Sequence, residues 1–307
     1  MKKRLLFIPL VFAFFCCFDL MVRLFCEFCI SRIPEDSNMY GSCIFQLNEH
    51  QSDLLILGAS KAMHHYNVKM LEDSLHCTVY NMGSDGQNIH YQYMCLLKAL
   101  DNGPVNTVLL DISYNQISKD WEKPLYNYHK WFYWKNQYSK EYLDKVNGWW
   151  EPLFMASACL QFNTNLVDCL RCLRQNDKRG YKGYIAMSDF GGMFRNEKVQ
   201  TNIVVKFSEI LLSYLDEIVE LCKDKNINLI LCQSPSKQRI KEFDEFIYNY
   251  SKENDIAYWD LVDIKGITDK NELFYDANHL TGQGANILTE IIINKIMEDG
   301  VYEQSKK

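Results

Sequence analysis

Apolar positions fall into two regimes along the chain. Lys2, Lys3 and Arg4 precede an apolar run from Leu5 to Phe18. Asp19 interrupts it, and Leu20–Val22, Arg23 and Leu24–Ile30 follow, with Glu27 inside the last stretch. A basic start before an apolar stretch is the pattern of an export signal or a signal anchor. The run to Phe18 alone is short for a membrane span, which takes roughly 20 residues. Leu5–Ile30 is long enough if Arg23 and Glu27 reach the far interface. No small-x-small cleavage site ends the run, which favours an uncleaved anchor over a cleaved signal or a buried soluble helix. Residues 1–33 are read as this segment. The positive-inside rule then places the bulk of the chain outside the cytoplasmic membrane as a single-pass protein.

Beyond the leader and a connector, short apolar runs alternate with longer amphipathic stretches. Asp53–Gly58 reads as a buried strand, Lys61–Ser74 as a helix, and Cys77–Asn81 as a second strand ended by Gly83. Ile89–Leu100 is helical, and Asn102-Gly-Pro104 turns the chain into a third strand, Thr107–Asp111. Asn202–Lys223 is a long helix, Asn228–Cys232 a strand broken by Ser234-Pro235-Ser236, and Arg239–Asn254 a helix. Ala257–Leu261 is a short strand, and Gly284–Met297 the last helix. Strands alternating with helices predict an α/β fold with a mostly parallel sheet covered on both faces. This domain is placed at 34–300, with 301–307 as a tail.

One segment breaks the rhythm. Residues 116–200 gather Trp121, Tyr126, Tyr128, Trp131, Phe132, Tyr133, Trp134, Tyr138, Tyr142, Trp149 and Trp150, and read as a largely helical insertion with a Gly191-Gly192 loop near its end. The aromatics suit either stacking on sugar rings or the packed core of a helical cap. An insertion between the third and fourth strands is also placed to cover a site at the carboxyl edge of the sheet.

Composition narrows the classes. Of 307 residues, 48% are hydrophobic and 23% charged, which is globular. The 33 basic and 39 acidic residues leave a net charge of -6, with no basic run beyond the first residues, so no nucleic-acid partner is expected. Among 12 cysteines, Cys169 and Cys172 have C-x-x-C spacing, but they sit on one face of an amphipathic stretch without a second pair to complete a metal site. His64 and His65 likewise lack a third ligand and are read as structural or surface residues. Neither metal nor cofactor is called for.

The candidate chemistry stands at strand ends, where open α/β sheets place their sites. In Leu57-Gly-Ala-Ser-Lys61, Ser60 follows a strand and opens a helix, whose N-terminus favours negative charge. Taken alone it is equally a helix cap. In Phe274-Tyr-Asp-Ala-Asn-His-Leu280, Asp276 and His279 are spaced so that the carboxylate can bind one ring nitrogen and leave the other to take a serine proton. The alternative is a capping motif. Gly83, after strand two, and Asn115, after strand three, are candidate oxyanion donors, each typically contributing ~3 kcal/mol to transition-state stabilisation. As plain loop residues they would be a turn and a cap.

Together these blocks, in this order, resemble the SGNH (GDSL-like) hydrolase superfamily over about residues 50–300. The resemblance implies a three-layer, flavodoxin-like α/β/α domain. It also implies Ser60 as nucleophile, Asp276 and His279 as its activating pair, and Ser60, Gly83 and Asn115 as the oxyanion hole. The third block departs from the usual G-x-N-D: it reads Ser113-Tyr-Asn-Gln116, and the first reads Gly-Ala-Ser. Leu57–Asn67 and Asn278-His-Leu-Thr-Gly282 look most like membrane-anchored envelope members, similar to proteins of teichoic acid D-alanylation and exopolysaccharide O-acetylation. That implies an acylated glycan or other ester as substrate and a membrane acyltransferase as partner. The rival expectation is a non-catalytic member that binds glycan or scaffolds an envelope complex. A doubly wound nucleotide-binding domain is disfavoured, because Gly58 is not followed by the further glycines of a phosphate loop.

Overall fold

The structure is a computed structural model that describes residues 2–32, 52–122, 128–131, 133–134, 136–163, 167, 170, 180–187 and 203–298. The chain divides into two compact units: Met1–Met39 with Asn127–Lys178, and Tyr40–Tyr126 with Arg179–Lys307. Cys169, Cys172, Gly191, Gly192 and the 301–307 tail lie outside the described residues.

The first unit opens with helix α1 (Lys2–Ile30), of which Phe7–Ile30 is long and apolar enough to cross a membrane, with mean hydropathy 2.1. The rest of this unit belongs to the aromatic insertion and comes later in the chain.

The second unit carries the sheet. In chain order it begins with β1 (Leu54–Gly58), α2 (Ser60–His65), α3 (Val68–Leu75), β2 (Val79–Asn81), α4 (Ile89–Asn102), β3 (Thr107–Asp111) and the short α5 (Tyr114–Ile117). The chain then passes to the first unit for α6 (Tyr128–Trp131), α7 (Gln137–Asn147), α8 (Glu151–Ala156) and α9 (Ala158–Phe162). It returns with the hairpin β4 (Gly180–Tyr181) and β5 (Tyr184–Ile185). It ends with α10 (Glu209–Asp224), β6 (Asn228–Gln233), α11 (Lys241–Asn254), β7 (Ala257–Asp260) and α12 (Gly282–Glu298).

The five main strands run in the order β2-β1-β3-β6-β7, and every pairing is parallel. That is the order of flavodoxin-like doubly wound sheets, with the direction of winding reversing between β1 and β3. Leu54–Gly58 and Thr107–Asp111 are buried at every position, because helices cover both faces. α12 packs against α2 and α3, while α4 packs against α10. The core under α12 includes Leu54, Ile56, Leu71, Trp259, Leu288 and Ile292.

Three local departures from the sequence expectation have physical reasons. The helix expected over 61–74 is two helices, because Tyr66 turns to extended backbone and Asn67 caps α3 by accepting from the Met70 N–H. The long helix expected from Asn202 starts at Glu209, capped by Ser208, because the preceding strand-like segment bridges Phe207 to Ser118. The region expected to be largely helical also contributes the antiparallel β4–β5 hairpin. Gly183, with φ +84°, turns this hairpin so closely onto β2 that a Cβ there would sit 1.8 Å from the Asn81 carbonyl oxygen.

Candidate active site

The site lies at the carboxyl ends of β1 and β3, where the winding reverses. β1 ends at Gly58, whose N–H donates to Gln92 Oε1 at 3.0 Å. Ala59 then turns the chain and Ser60 begins α2, so the serine sits where the backbone N–H groups of a first helical turn have no partners within the helix. Gly58 also lies against Asp111 of β3: a Cβ there would be 2.7 Å from the Asp111 carbonyl oxygen.

Across the crevice, the loop before α12 presents the other two residues. His279 Nε2 is 2.7 Å from Ser60 Oγ, and His279 Nδ1 is 2.8 Å from Asp276 Oδ2. Asp276 Oδ1 also accepts the backbone N–H groups of Asn278 and His279 at 2.8 and 2.9 Å. The carboxylate therefore fixes the turn and the imidazole together. Burial pushes the Asp276 pKa up, but the hydrogen bond and charge of His279, with the two N–H groups, outweigh it and hold the carboxyl below its ordinary value. The turn is closed by the Tyr275 N–H donating to the His279 carbonyl and by a bridge from Phe274 to Leu280. The loop after β6 holds its outer side: Ser236 Oγ donates to Asn278 Oδ1 at 2.9 Å, and the Lys237 N–H to the Ala277 carbonyl at 2.8 Å.

His64 and His65 are both buried, which removes the surface half of the expectation for them. His65 Nε2 accepts the Leu280 N–H at 3.0 Å, so its proton is on Nδ1, which faces Ser234 Oγ at 2.9 Å. Full burial, with the nearby charges of His279, Lys61 and His64, pushes its pKa well down and keeps it neutral. It ties the residue after His279 to α2. His64 is faced by two acceptors, the Ile185 carbonyl at 2.7 Å from Nδ1 and Asp85 Oδ1 at 3.1 Å from Nε2. With Asp85 ionised, this pair of acceptors favours the protonated ring, in which both nitrogens donate. Burial pulls its pKa down, yet Asp85, the Ile185 carbonyl and the charge of Asp276 raise it overall. Its ring lies edge-on to that of His279, with centroids 5.9 Å apart.

The two expected donors are placed differently. Asn115 lines a cavity of about 600 Å3 together with Ser60 and His279. Its side chain is exposed and makes no hydrogen bond to a described residue. Gly83 does not line this cavity among the described residues, and its N–H donates to Asn81 Oδ1 at 2.8 Å. Its observed part is steric: a Cβ would lie 2.4 Å from the Met63 nitrogen, so only glycine lets β2 approach α2 this closely. The same cavity is lined by Lys61, Asp85, Trp121, Gln233 and Ser236. Of these, only Trp121 was given a candidate role from the sequence, as part of the aromatic cluster. Asp85, in Gly83-Ser-Asp-Gly86, follows a strand end, and that position is the signal that could have found it. Gln233 is recognisable only once β6 is known to lie next to β3.

Among the described residues no group of three or more His, Cys, Asp or Glu side chains could hold a metal ion. The arrangement can deprotonate a serine hydroxyl, hold the resulting imidazolium against a carboxylate, and offer polar groups to a charged intermediate.

No protein-family model matches the chain, and no curated protein matches it. Among solved structures, the chain resembles one of a candidate acylhydrolase from Bacteroides fragilis, at 12% identity and a TM-score of 0.40, over 84% of this chain and 95% of that one. At that distance the chemistry rests on the geometry of Ser60, His279 and Asp276.

Proposed function

We propose that this chain is a membrane-anchored serine esterase or O-acyltransferase of the SGNH type, acting on acylated cell-envelope glycan. The observation that carries the reading is the continuous hydrogen-bonded line from Asp276 through His279 to Ser60, closed at 2.7 Å. Rotamer change is not needed to make the serine reactive, which favours catalysis over glycan binding alone.

In the reaction, His279 Nε2 takes the Ser60 proton as Oγ attacks the ester carbonyl. Asp276 holds Nδ1–H and stabilises the imidazolium. The tetrahedral oxyanion is received by the Ser60 N–H and by the Asn115 side-chain amide, and by Gly83 only if its N–H leaves Asn81. His279 returns the proton to the departing alcohol, leaving an acyl group on Ser60. Water then gives hydrolysis, or a sugar hydroxyl gives transfer, with His279 again as base.

The envelope glycan as substrate rests on the resemblance to envelope members, and the basic start and apolar length of α1 support it by suiting an anchor in the cytoplasmic membrane. A membrane acyltransferase is the partner that such an anchored enzyme would exchange acyl groups with. The test is mass analysis of ester-linked acyl groups on envelope glycan from cells carrying the intact chain or Ser60→Ala. The reading expects a change in glycan acylation that tracks Ser60. Identical acylation in both would remove the glycan from the proposal.

A further inference from the structure

The aromatic insertion carries apolar side chains on its outward face as well as inside. In α8 and α9 Glu151 and Gln161 are buried beside Met155, Ala158 and Phe162, while Leu153, Phe154 and Leu160 face outward, at 60%, 51% and 43% exposure. Trp149 and Trp150, stacked on each other just before α8, are also exposed, Trp149 by 70%. A soluble helix pair would put polar side chains on that outward face. Only part of the aromatic cluster is packed core, with Trp131, Tyr133 and Tyr142 buried.

The junction between α8 and α9 is held by the charges of α1. Asp19 accepts from Ser157 Oγ at 2.6 Å and from the N–H groups of Ala158 and Cys159, both at 2.9 Å. Arg23, one turn along, donates to Gln161 Oε1 at 3.2 Å and to the Ala156 carbonyl at 3.1 Å. Arg23 therefore does not run along α1 toward an interface, as the sequence suggested. The two charges satisfy the free backbone groups where α8 ends and α9 begins. Unpaired backbone is tolerated in hydrocarbon only where protein groups satisfy it in this way.

Depth follows from helix rise. At 1.5 Å per residue Asp19 lies roughly 18 Å from Phe7 and about 17 Å from Ile30, near the middle of a bilayer core about 30 Å thick. A carboxylate at that depth is costly unless partnered. Its partners, Ser157–Cys159, must lie at the same depth.

We infer that α8 and α9, with the Trp149–Trp150 pair, enter the lipid bilayer beside α1 as a re-entrant element whose exposed apolar face is covered by lipid acyl chains. The inference rests on α1 being an anchor. The same residues make sugar stacking a poor role for Trp149 and Trp150, because the exposed side chains that follow them, Leu153 and Phe154, are apolar.

The test uses the full chain in phosphatidylcholine/phosphatidylglycerol vesicles, with and without brominated acyl chains, reading tryptophan fluorescence. Bromine is expected to quench the wild type and to quench Trp149→Phe/Trp150→Phe about twofold less, with aqueous acrylamide unable to reach the pair. If the chain floats with vesicles after an alkaline wash but the pair is quenched by acrylamide and not by bromine, the anchor stands and the re-entrant element is wrong. If neither quencher reaches the pair, a protein rather than lipid covers it, and the proposal fails. If the chain does not float at all, the anchor reading fails and takes this one with it.

Discussion

The two sides of the cavity are built to different standards. On the Ser60–His279 side the turn that carries His279 is held throughout: Asp276 by two N–H groups, Asn278 by Ser236, and Leu280 by His65. On the donor side, Asn115 is exposed and held by no hydrogen bond among the described residues, and the Gly83 N–H is turned to Asn81. Under the proposed mechanism the difference separates two requirements of acyl transfer: activation of Ser60 would be complete before substrate arrives, whereas oxyanion stabilisation would be finished only with a carbonyl in place.

The largest effect is expected from breaking the organised side. Ser60→Ala or His279→Ala should each lower kcat on an acetyl ester roughly ten-thousand-fold, and the double variant should do little more, because the pair acts as a unit. Multiplicative losses, measured by steady-state kinetics, would mean they do not share a step. Next comes the loose side. Asn115→Ala should lower kcat about a hundredfold with KM nearly unchanged if its amide meets the oxyanion. A loss below about threefold would leave that side without a side-chain donor.

His65 sharpens the comparison without touching substrate. His65→Gln should lower kcat about tenfold while leaving KM unchanged, by loosening the turn that carries His279. Gly83→Ala tests the steric part that glycine plays. Its Cβ meets backbone at 2.4 Å, so thermal denaturation should show a loss of about 2 kcal/mol or more. An unchanged melting temperature would contradict that packing.

The smallest effect is pH-dependent. The folded-state pKa of His64 is raised, so its stabilisation is present below about pH 6.5 and is lost as pH rises through the raised value. The advantage of wild type over His64→Gln in thermal stability should be largest near about pH 5, where Asp85 is still ionised, and should shrink toward alkaline pH. A difference that grows with pH would mean His64 is neutral in the fold.

Much of the sheet was legible in the sequence because its central strands are apolar runs bounded by turn residues, Gly58 at the end of β1, Asn102-Gly-Pro104 before β3 and Ser234-Pro235 after β6, and Thr107–Asp111 was read to the residue. Ser60, Asp276 and His279 were legible because each stands at a strand end or in a short spacing that limits what it can reach. The geometry of the donor side was not, since whether the Gly83 N–H is free depends on where the Asn81 side chain turns, and no periodicity records that. Nor was the environment of His64, which depends on a carbonyl more than a hundred residues away in the hairpin. The pairing of Asp19 and Arg23 with the insertion was hidden for the same reason: the partners are distant in sequence, and a charge inside an apolar run says only that a partner must exist.

The central claim is that Ser60 is an activated nucleophile. Its most direct measurement is labelling of the full chain with a fluorophosphonate probe, followed by mapping of the modified peptide by mass spectrometry. A single adduct on Ser60, absent in Ser60→Ala and sharply reduced in His279→Ala, is the expected result. Labelling that persists in Ser60→Ala, or a wild type that takes no label, would contradict it.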